Sequence, residues 1–297
     1  QNVALYVNHG ISGYVWAESD YNGVFDGFNF TSTNAKREPA VGSITVNLKN
    51  ENGDVVKTTV TDTAGYYQFV DVLEGNYTLE FVNSDGVVVE GRETGRSAGL
   101  YDFEVSPKAK SYYRAPGNDT AGVTENGVLM AAVSDKFTVP MVALAQASGD
   151  TDAYVVNENC GLYVPSYIHG QVWADGNKDG QKDNTESRIK GVKVSLVTSD
   201  GKEVKDVYGN KVQPIITGDD GKYTFRSIPV GTYRVDIDNG DTDISEFTVT
   251  KFRADGVDES VNNDARNGEG GIKASIDWVE IKNLNDNTFK TDTANKN

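Results

Sequence analysis

Apolar and polar residues alternate along much of the chain with a period of two. Ile44, Val46 and Leu48 alternate with Thr45 and Asn47, and Val192, Val194 and Leu196 alternate with Lys193 and Ser195. Tyr77, Leu79 and Phe81 repeat the pattern, as do Tyr233, Val235 and Ile237. This period sends one row of side chains into a core and the other into water, so each run predicts a half-buried β-strand. Asn52-Gly53, Asp200-Gly201 and Asp220-Gly221 punctuate the runs as turns. No convincing amphipathic helix exceeds two turns. The longest apolar runs, such as Val139 to Ala145, are strand-length, far short of the roughly 18 residues of a membrane span. The pattern predicts an all-β chain.

The pattern also repeats. Ile11-Ser12-Gly13-Tyr14-Val15-Trp16 matches Ile168-His169-Gly170-Gln171-Val172-Trp173 at an offset of 157. Ile44 to Leu48 matches Val192 to Leu196 at 148, and Gly65 to Phe69 matches Gly221 to Phe225 at 156. Gly75-Asn76-Tyr77 matches Gly231-Thr232-Tyr233 at the same 156. The offsets shift because the first copy has an insertion near Phe28 to Arg37 and the second one near Lys205 to Pro214. Polar insertions that leave strands in register are expected of two copies of one fold. Within each copy the strand order predicts an antiparallel meander closing into a sandwich. The expected domains are residues 10–166 and 167–297, with residues 1–9 as a separate N-terminal strand. About four residues separate Tyr163 from Ile168, a linker that leaves little rotational freedom.

The ends are out of phase with these domains. Asn159-Cys160-Gly161-Leu162-Tyr163-Val164 closes the first copy just before the Ile168 strand, and Asn2-Val3-Ala4-Leu5-Tyr6-Val7 holds the same place before the Ile11 strand. The N-terminal segment reads as a final strand with no domain before it, while domain two runs to Asn297 without showing one. If Gln1 followed Asn297, Thr291-Asp292 would precede Leu5-Tyr6 by the spacing at which Thr151-Asp152 precedes Leu162-Tyr163. No signal peptide stands at Gln1 and no sorting signal at Asn297, so a mature or excised piece is expected. Either the chain is a window of a tandem array, or subunits join head to tail. In the second case Val3, Leu5 and Val7 would complete the open sandwich of a neighbour by strand addition. Such a heterologous contact does not close and makes filaments. The plainer alternative is a loose terminus, with domain two closed by the strand near Trp278 to Ile281.

Charge sharpens the picture. The 44 acidic residues outweigh 28 basic ones, for a formal charge of −16. No basic footprint exists for nucleic acid or for an anionic membrane, which removes both as partners. Cys160 is the only cysteine, so no intrachain disulfide can form, and metal is one alternative staple for a secreted domain. Residues 175–186 fit the twelve-residue calcium loop. Asp175, Asn177 and Asp179 offer side-chain oxygens at positions one, three and five, and Gly180 permits the turn at six. Gln181 offers its carbonyl at seven, Asp183 acts at nine, and Glu186 can supply two oxygens at twelve. The flanks read as strands, so no helix–loop–helix is expected. In the first copy Glu18, Asp20, Asn22, Val24 and Asp26 take the corresponding places, with Asn29 where the final Glu belongs. Glu38 aligns with Glu186 across the insertion, each lying six residues before its matching strand residue, Ile44 or Val192. A second calcium site with Glu38 reaching back is expected. Asp255, Asp258, Glu259, Asp264 and Glu269 form a further acidic cluster without fixed spacing, read as a solvated loop.

Nothing predicts catalysis. His9 and His169 are repeat-related and lack a nucleophile at a recognised spacing. Cys160 has no His–Asn partner pattern and reads as a buried strand residue. The scattered carboxylates fall in metal-like loops rather than as a glycosidase pair. The alternative to a structural role is a ligand-binding module, with segment 84–152 and its Tyr101, Tyr112 and Tyr113 presenting a surface to a host protein or glycan.

The motifs resemble the B-type repeats of serine–aspartate-repeat surface adhesins of Gram-positive bacteria. The resemblance is carried by Gly170 to Gly180, Gly191 to Leu196, Thr217 to Phe225 and Gly231 to Val235. In the first copy it is carried by Gly13 to Gly23, Ser43 to Leu48, Thr61 to Phe69 and Gly75 to Leu79. It implies two tandem prealbumin-like (Ig-like) antiparallel β-sandwich domains, stiffened by Ca2+, serving as an extracellular spacer on the cell surface or cell wall. Neighbouring repeats or identical subunits are the implied partners. Glu18, Asn22 and Gly218 depart from the family pattern. Some relatives carry Lys–Asn isopeptide crosslinks, but Tyr14 and Gln171 sit on the first strands with no lysine candidate, so none is expected.

Overall fold

The computed structural model describes residues 9–26, 38–82, 88–89, 103–111, 116–125, 128–140, 155–253 and 261–281. Among them there is no α-helix. The chain divides into two units, the first ending at Val164 and the second beginning at Pro165.

The first unit contains β1 (His9–Ala17), β2 (Val41–Gly42), β3 (Thr45–Asn50), β4 (Val55–Val60), β5 (Tyr66–Val72), β6 (Gly75–Val82) and β7 (Val88–Val89). It continues with β8 (Glu104–Val105), β9 (Thr120–Glu125), β10 (Val128–Ser134), β11 (Phe137–Val139), β12 (Val155–Asn157) and β13 (Cys160–Tyr163). One sheet has the order β4-β3-β6-β10-β9, with β11 also on β6. In the other, β1 pairs antiparallel with β5 on one edge. On its other edge it runs parallel first to β12 and then to β13. The antiparallel meander expected from strand order is therefore modified at this edge, where the first and last strands lie side by side in the same direction.

The period-two runs account for the packing. Val46 and Leu48 of β3 and Leu79 and Phe81 of β6 are fully buried, and they meet Ile11, Val15, Tyr67 and Leu162 from the facing sheet in one core. Asn47 and Glu80 on the opposite faces of those strands keep partial exposure. The last strand presses closely on the first: a Cβ on Gly13 would stand 1.8 Å from the Glu158 carbonyl oxygen. Only glycine fits such a backbone approach. Cys160 lies in β13 with its side chain wholly buried, and burial pushes its thiol up to about 12. Of segment 84–152, β10 and β11 flank β6 and contribute Leu129, Ala132 and Val139 to the core. Tyr101, Tyr112 and Tyr113 lie outside the described residues, as do Val3, Leu5 and Val7.

The second unit contains β14 (Tyr167–Gln171), β15 (Lys193–Thr198), β16 (Ile215–Ile216), β17 (Lys222–Arg226), β18 (Gly231–Asp238), β19 (Arg266–Asn267) and β20 (Ala274–Ile281). Its larger sheet, β16-β15-β18-β20-β19, repeats β4-β3-β6-β10-β9, and β14-β17 repeats β1-β5. The strand near Trp278 thus takes the place of β10 and does not close the first sheet, contrary to the plainer reading of the sequence. Among the described residues β14 pairs with β17 alone. Val15, Trp16 and Ala17 are at most 1% exposed in the first unit, whereas their repeats Val172, Trp173 and Ala174 are only half-buried.

Candidate metal centre

Each acidic loop leaves the end of the first strand and is tied down by hydrogen bonds that its own short side chains impose. In the second unit Asn177 Oδ1 accepts from the Asp179 amide (3.1 Å) and Asp179 Oδ1 from the Gln181 amide (2.8 Å). In the first, Asp20 Oδ1 accepts from the Asn22 amide (3.2 Å), and Asn22 Oδ1 from the Val24 amide. Asp and Asn favour this local bonding over a strand ladder. The backbone path is shared as well. Lys178 and Gly180 have φ of 64° and 81°, and Tyr21 and Gly23 have 62° and 74°.

The carboxylates that open and close the loops are equivalent. Asp175 Oδ2 accepts from the Gly180 amide at 2.9 Å, as Glu18 Oε2 does from the Gly23 amide. Glu186 accepts from the Gly176 and Asp183 amides at 2.9 and 3.0 Å. Glu38 accepts from the Ser19 and Asp26 amides at 2.8 and 3.1 Å. Ser19 and Asp26 are the repeats of Gly176 and Asp183, so Glu38 holds the structural place of Glu186.

The two loops differ in how far they gather charge. Glu18, Asp20 and Glu38 bring ligand oxygens within 4.8 Å of one another, the only such group among the described residues. Glu18 and Glu38 are 5% and 1% exposed, and among the described residues none of the three forms an ion pair. Burial first, and then the neighbouring Glu18 carboxylate, pushes the Glu38 carboxyl far above the usual range; burial raises Glu18 too. Two buried, mutually repelling carboxylates with no cation beside them fit a hard cation, which would supply the missing charge. The Asp175 carboxyl lies below its ordinary value. Burial raises it, but hydrogen bonds from Thr250 and from the Gly180 and Lys178 amides outweigh that effect. Thus the loop that matches the sequence template at every position is the more open one, and the degenerate loop is the tighter.

Sequence reasoning missed the second layer. Ser106 Oγ donates to Glu18 Oε2 at 3.1 Å, and Thr250 Oγ1 donates to Asp175 Oδ2. Asn118 Nδ2 donates to the Ser106 and Thr120 carbonyls, and Asn263 Nδ2 to the Thr250, Lys251 and Ala265 carbonyls. The Asn118 amide donates to the Gly23 carbonyl (2.7 Å) and the Asn263 amide to that of Gly180 (2.9 Å). These asparagines therefore lock the loop to a later segment in each unit. Their one sequence signal is a short Asn-Asp match, Asn118-Asp119 against Asn263-Asp264. Of the looser acidic cluster, Asp255, Asp258 and Glu259 lie outside the described residues, while Asp264 pairs with Arg253 at 3.0 Å.

Known proteins resemble this chain over both units. Serine-aspartate repeat-containing protein D of Staphylococcus aureus is 31% identical over 267 residues, 89% of this chain. Serine-aspartate repeat-containing protein F of Staphylococcus epidermidis is 28% identical over 268 residues. The chain spans only 16% and 12% of those relatives' lengths. Among solved structures, the shaft pilin SpaA of Lactobacillus rhamnosus GG aligns over 78% of this chain and 88% of its own, at 10% identity and a TM-score of 0.26. The minor pilin GBS52 of Streptococcus agalactiae aligns over 92% and 91%, at 12% identity and a TM-score of 0.25. Those two likenesses are too distant to carry an argument. The family model for the SdrD B-like domain matches residues 9–115 and again 167–294. One match per repeat, over most of the chain, makes this protein a member of the SdrD B-like domain family.

Proposed function

We propose that the chain is a calcium-stiffened stalk or spacer segment of an extracellular Gram-positive surface adhesin or fibre, without enzymatic activity, whose copies join head to tail by strand complementation. The carrying observation is the convergence of Glu18, Asp20 and Glu38 in a loop whose backbone path and hydrogen bonds repeat those around Asp175. Calcium would be held by Glu18, Asp20, Asn22, the Val24 carbonyl, Asp26 and Glu38 in the first unit. In the second it would be held by Asp175, Asn177, Asp179, the Gln181 carbonyl, Asp183 and Glu186. The ion would supply the positive charge that lets the carboxylates share one small volume, and so would order each loop against the later segment that Asn118 or Asn263 anchors. Among the described residues β14 is paired on one edge alone, which supports the joining of copies. Among the described residues no helix is long and apolar enough to cross a membrane.

Calorimetric melting in millimolar calcium and then in excess chelator tests the calcium reading. The expected result is a lower midpoint for both units on chelation, restored by calcium and not by magnesium. Midpoints indifferent to chelation overturn it. Removal of residues 1–8 is expected to abolish filaments seen by electron microscopy while leaving calcium-dependent melting intact.

A further inference from the structure

We infer that the groove beside β14 and residues 172–174 that follow it is the receptor for residues 1–7 of a second copy of this chain, bound as a strand parallel to residues 172–174 with Val3 opposite Val172 and Leu5 opposite Ala174. The inference rests on the head-to-tail reading above and specifies where and in what register the copies meet.

The groove lies wholly within the second unit, has a volume of about 1280 Å³, and is lined by Ile168, Val172, Tyr223, Val235, Ile237 and Ile276 among others. In the first unit the corresponding place is taken by β13, whose Cys160 and Leu162 are fully buried in the core. There the pairs are Val15 with Cys160, Trp16 with Gly161 and Ala17 with Leu162. Carrying that register across the repeat places Val172, Trp173 and Ala174 opposite Val3, Ala4 and Leu5. Parallel strands put Val3 and Leu5 on the core face, because side chains alternate.

The polar groups match too. In the first unit the Ser106 amide donates to the Gly161 carbonyl at 2.8 Å and the Glu18 amide donates to the Leu162 carbonyl. The Gly161 amide donates to Asn118 Oδ1 at 3.0 Å, and Tyr67 Oη donates to the Glu158 carbonyl. The repeats of these groups are Thr250, Asp175, Asn263 and Tyr223. The Thr250 and Asp175 amides and the Tyr223 hydroxyl make no hydrogen bond among the described residues, and Asn263 Oδ1 receives only the Ala265 amide. Among the described residues, three donors without a partner and one acceptor with spare capacity thus line a slot with an apolar floor, at the positions where a strand is gripped in the other unit.

The chain has one other segment with the pattern of residues 159–164, and it is residues 2–7. Residues 282–297 offer only Leu284, Phe289 and Ala294 as apolar side chains, without a Leu-Tyr-Val run. Asn159 to Ile168 and Asn2 to Ile11 are both nine residues. A donor strand in the groove would therefore lead into its own β1 with the spacing by which β13 leads into β14.

Cysteine pairing in the full chain tests this. Adjacent strands lie about 4.8 Å apart, within disulfide reach. Cys160 is buried with a raised pKa and does not compete. The V3C/V172C chain, oxidised with copper phenanthroline, is expected to give a ladder of covalent oligomers that reductant returns to monomer. A mixture of the single variants V3C and V172C should stop at a dimer, since each supplies one half of the joint. A4C/V172C should give no ladder, because a one-residue shift turns the side chain to the other face. Wild-type filaments with no V3C/V172C ladder, or a ladder from A4C/V172C instead, overturn this slot and register while leaving head-to-tail assembly standing. A fast-migrating internally crosslinked monomer overturns the second copy as occupant. A wild-type chain that stays monomeric, with no crosslink in any variant, removes the assembly reading itself and this inference with it.

Discussion

The two units share a strand and differ in what covers it. Among the described residues His9–Ala17 is paired on both edges, and Tyr167–Gln171 is paired on one. The same Val-Trp-Ala row is consequently sealed in the first unit and half-open in the second. The covering strand in the first unit lies some 145 residues away in sequence, as the bond between Ser12 and Asn157 illustrates. A local pattern specifies a strand and its apolar face; burial of that face depends on a partner that sequence distance leaves unspecified. The acidic loops teach the same lesson in reverse. Here the sequence that departs from the template forms the tighter carboxylate cluster, since Glu38 arrives from beyond the loop.

The largest effect that would break this comparison comes from the covering strand. Leu162→Ala should cost the first unit about 2–5 kcal/mol, the usual loss for a buried leucine. It should lower that unit's calorimetric transition at every protein concentration. Leu5→Ala should spare both transitions in dilute solution and lower the second only where copies associate. Equal losses at high dilution would mean that residues 1–7 already serve their own chain.

Next in size is metal removal in single-site variants. Saturation at a hundredfold over the dissociation constant stabilises a fold by about 2.7 kcal/mol. Glu38→Gln should erase most of the calcium-dependent shift of the first unit and leave that of the second, and Glu186→Gln should do the opposite. Titrated melting curves of the two variants give the answer directly.

The smallest effect is the pH dependence in chelator. Glu38 and Glu18 have carboxyls raised above the ordinary 4.5. Their contribution is fully present below about pH 4.5 and is lost as pH rises through the raised folded values. The chelated first unit should therefore melt progressively lower from about pH 5 to pH 9, and calcium should flatten that slope. Asp175, held below the ordinary 3.8, contributes in the opposite sense, with stability present above about pH 4 and lost on acidification. A chelated first unit that grows more stable with rising pH would remove the buried-pair account.

Much of the fold was legible because its signals are local. Val46, Leu48, Leu79 and Phe81 announce their faces by alternation, and all are buried. The turn at Asn52-Gly53 announces itself by residue type, and Gly53 has φ of 86°. The alignment of Glu38 with Glu186 could be read from counting back from Ile44 and Val192. The parallel edge of β1 could not be read, since nothing in a strand's alternation states the direction of its neighbour. Ser106, Thr250, Asn118 and Asn263 were invisible for a related reason: they act through carbonyls and carboxylates far along the chain.

By itself, then, the amino-acid order determined which segments are strands, which loops carry clustered acidic and amide side chains, and that one fold occurs twice. Those properties follow from side-chain period, turn chemistry and self-similarity, all of which act over a few residues. Tertiary structure alone decided that Trp278 lies in a strand replacing β10 in the larger sheet and not closing the smaller one. It also decided that three carboxylates meet in the first unit and that one edge of β14 stands open among the described residues. Pairing and convergence between distant segments depend on where the whole chain brings its backbone and charges together, and no local pattern encodes that.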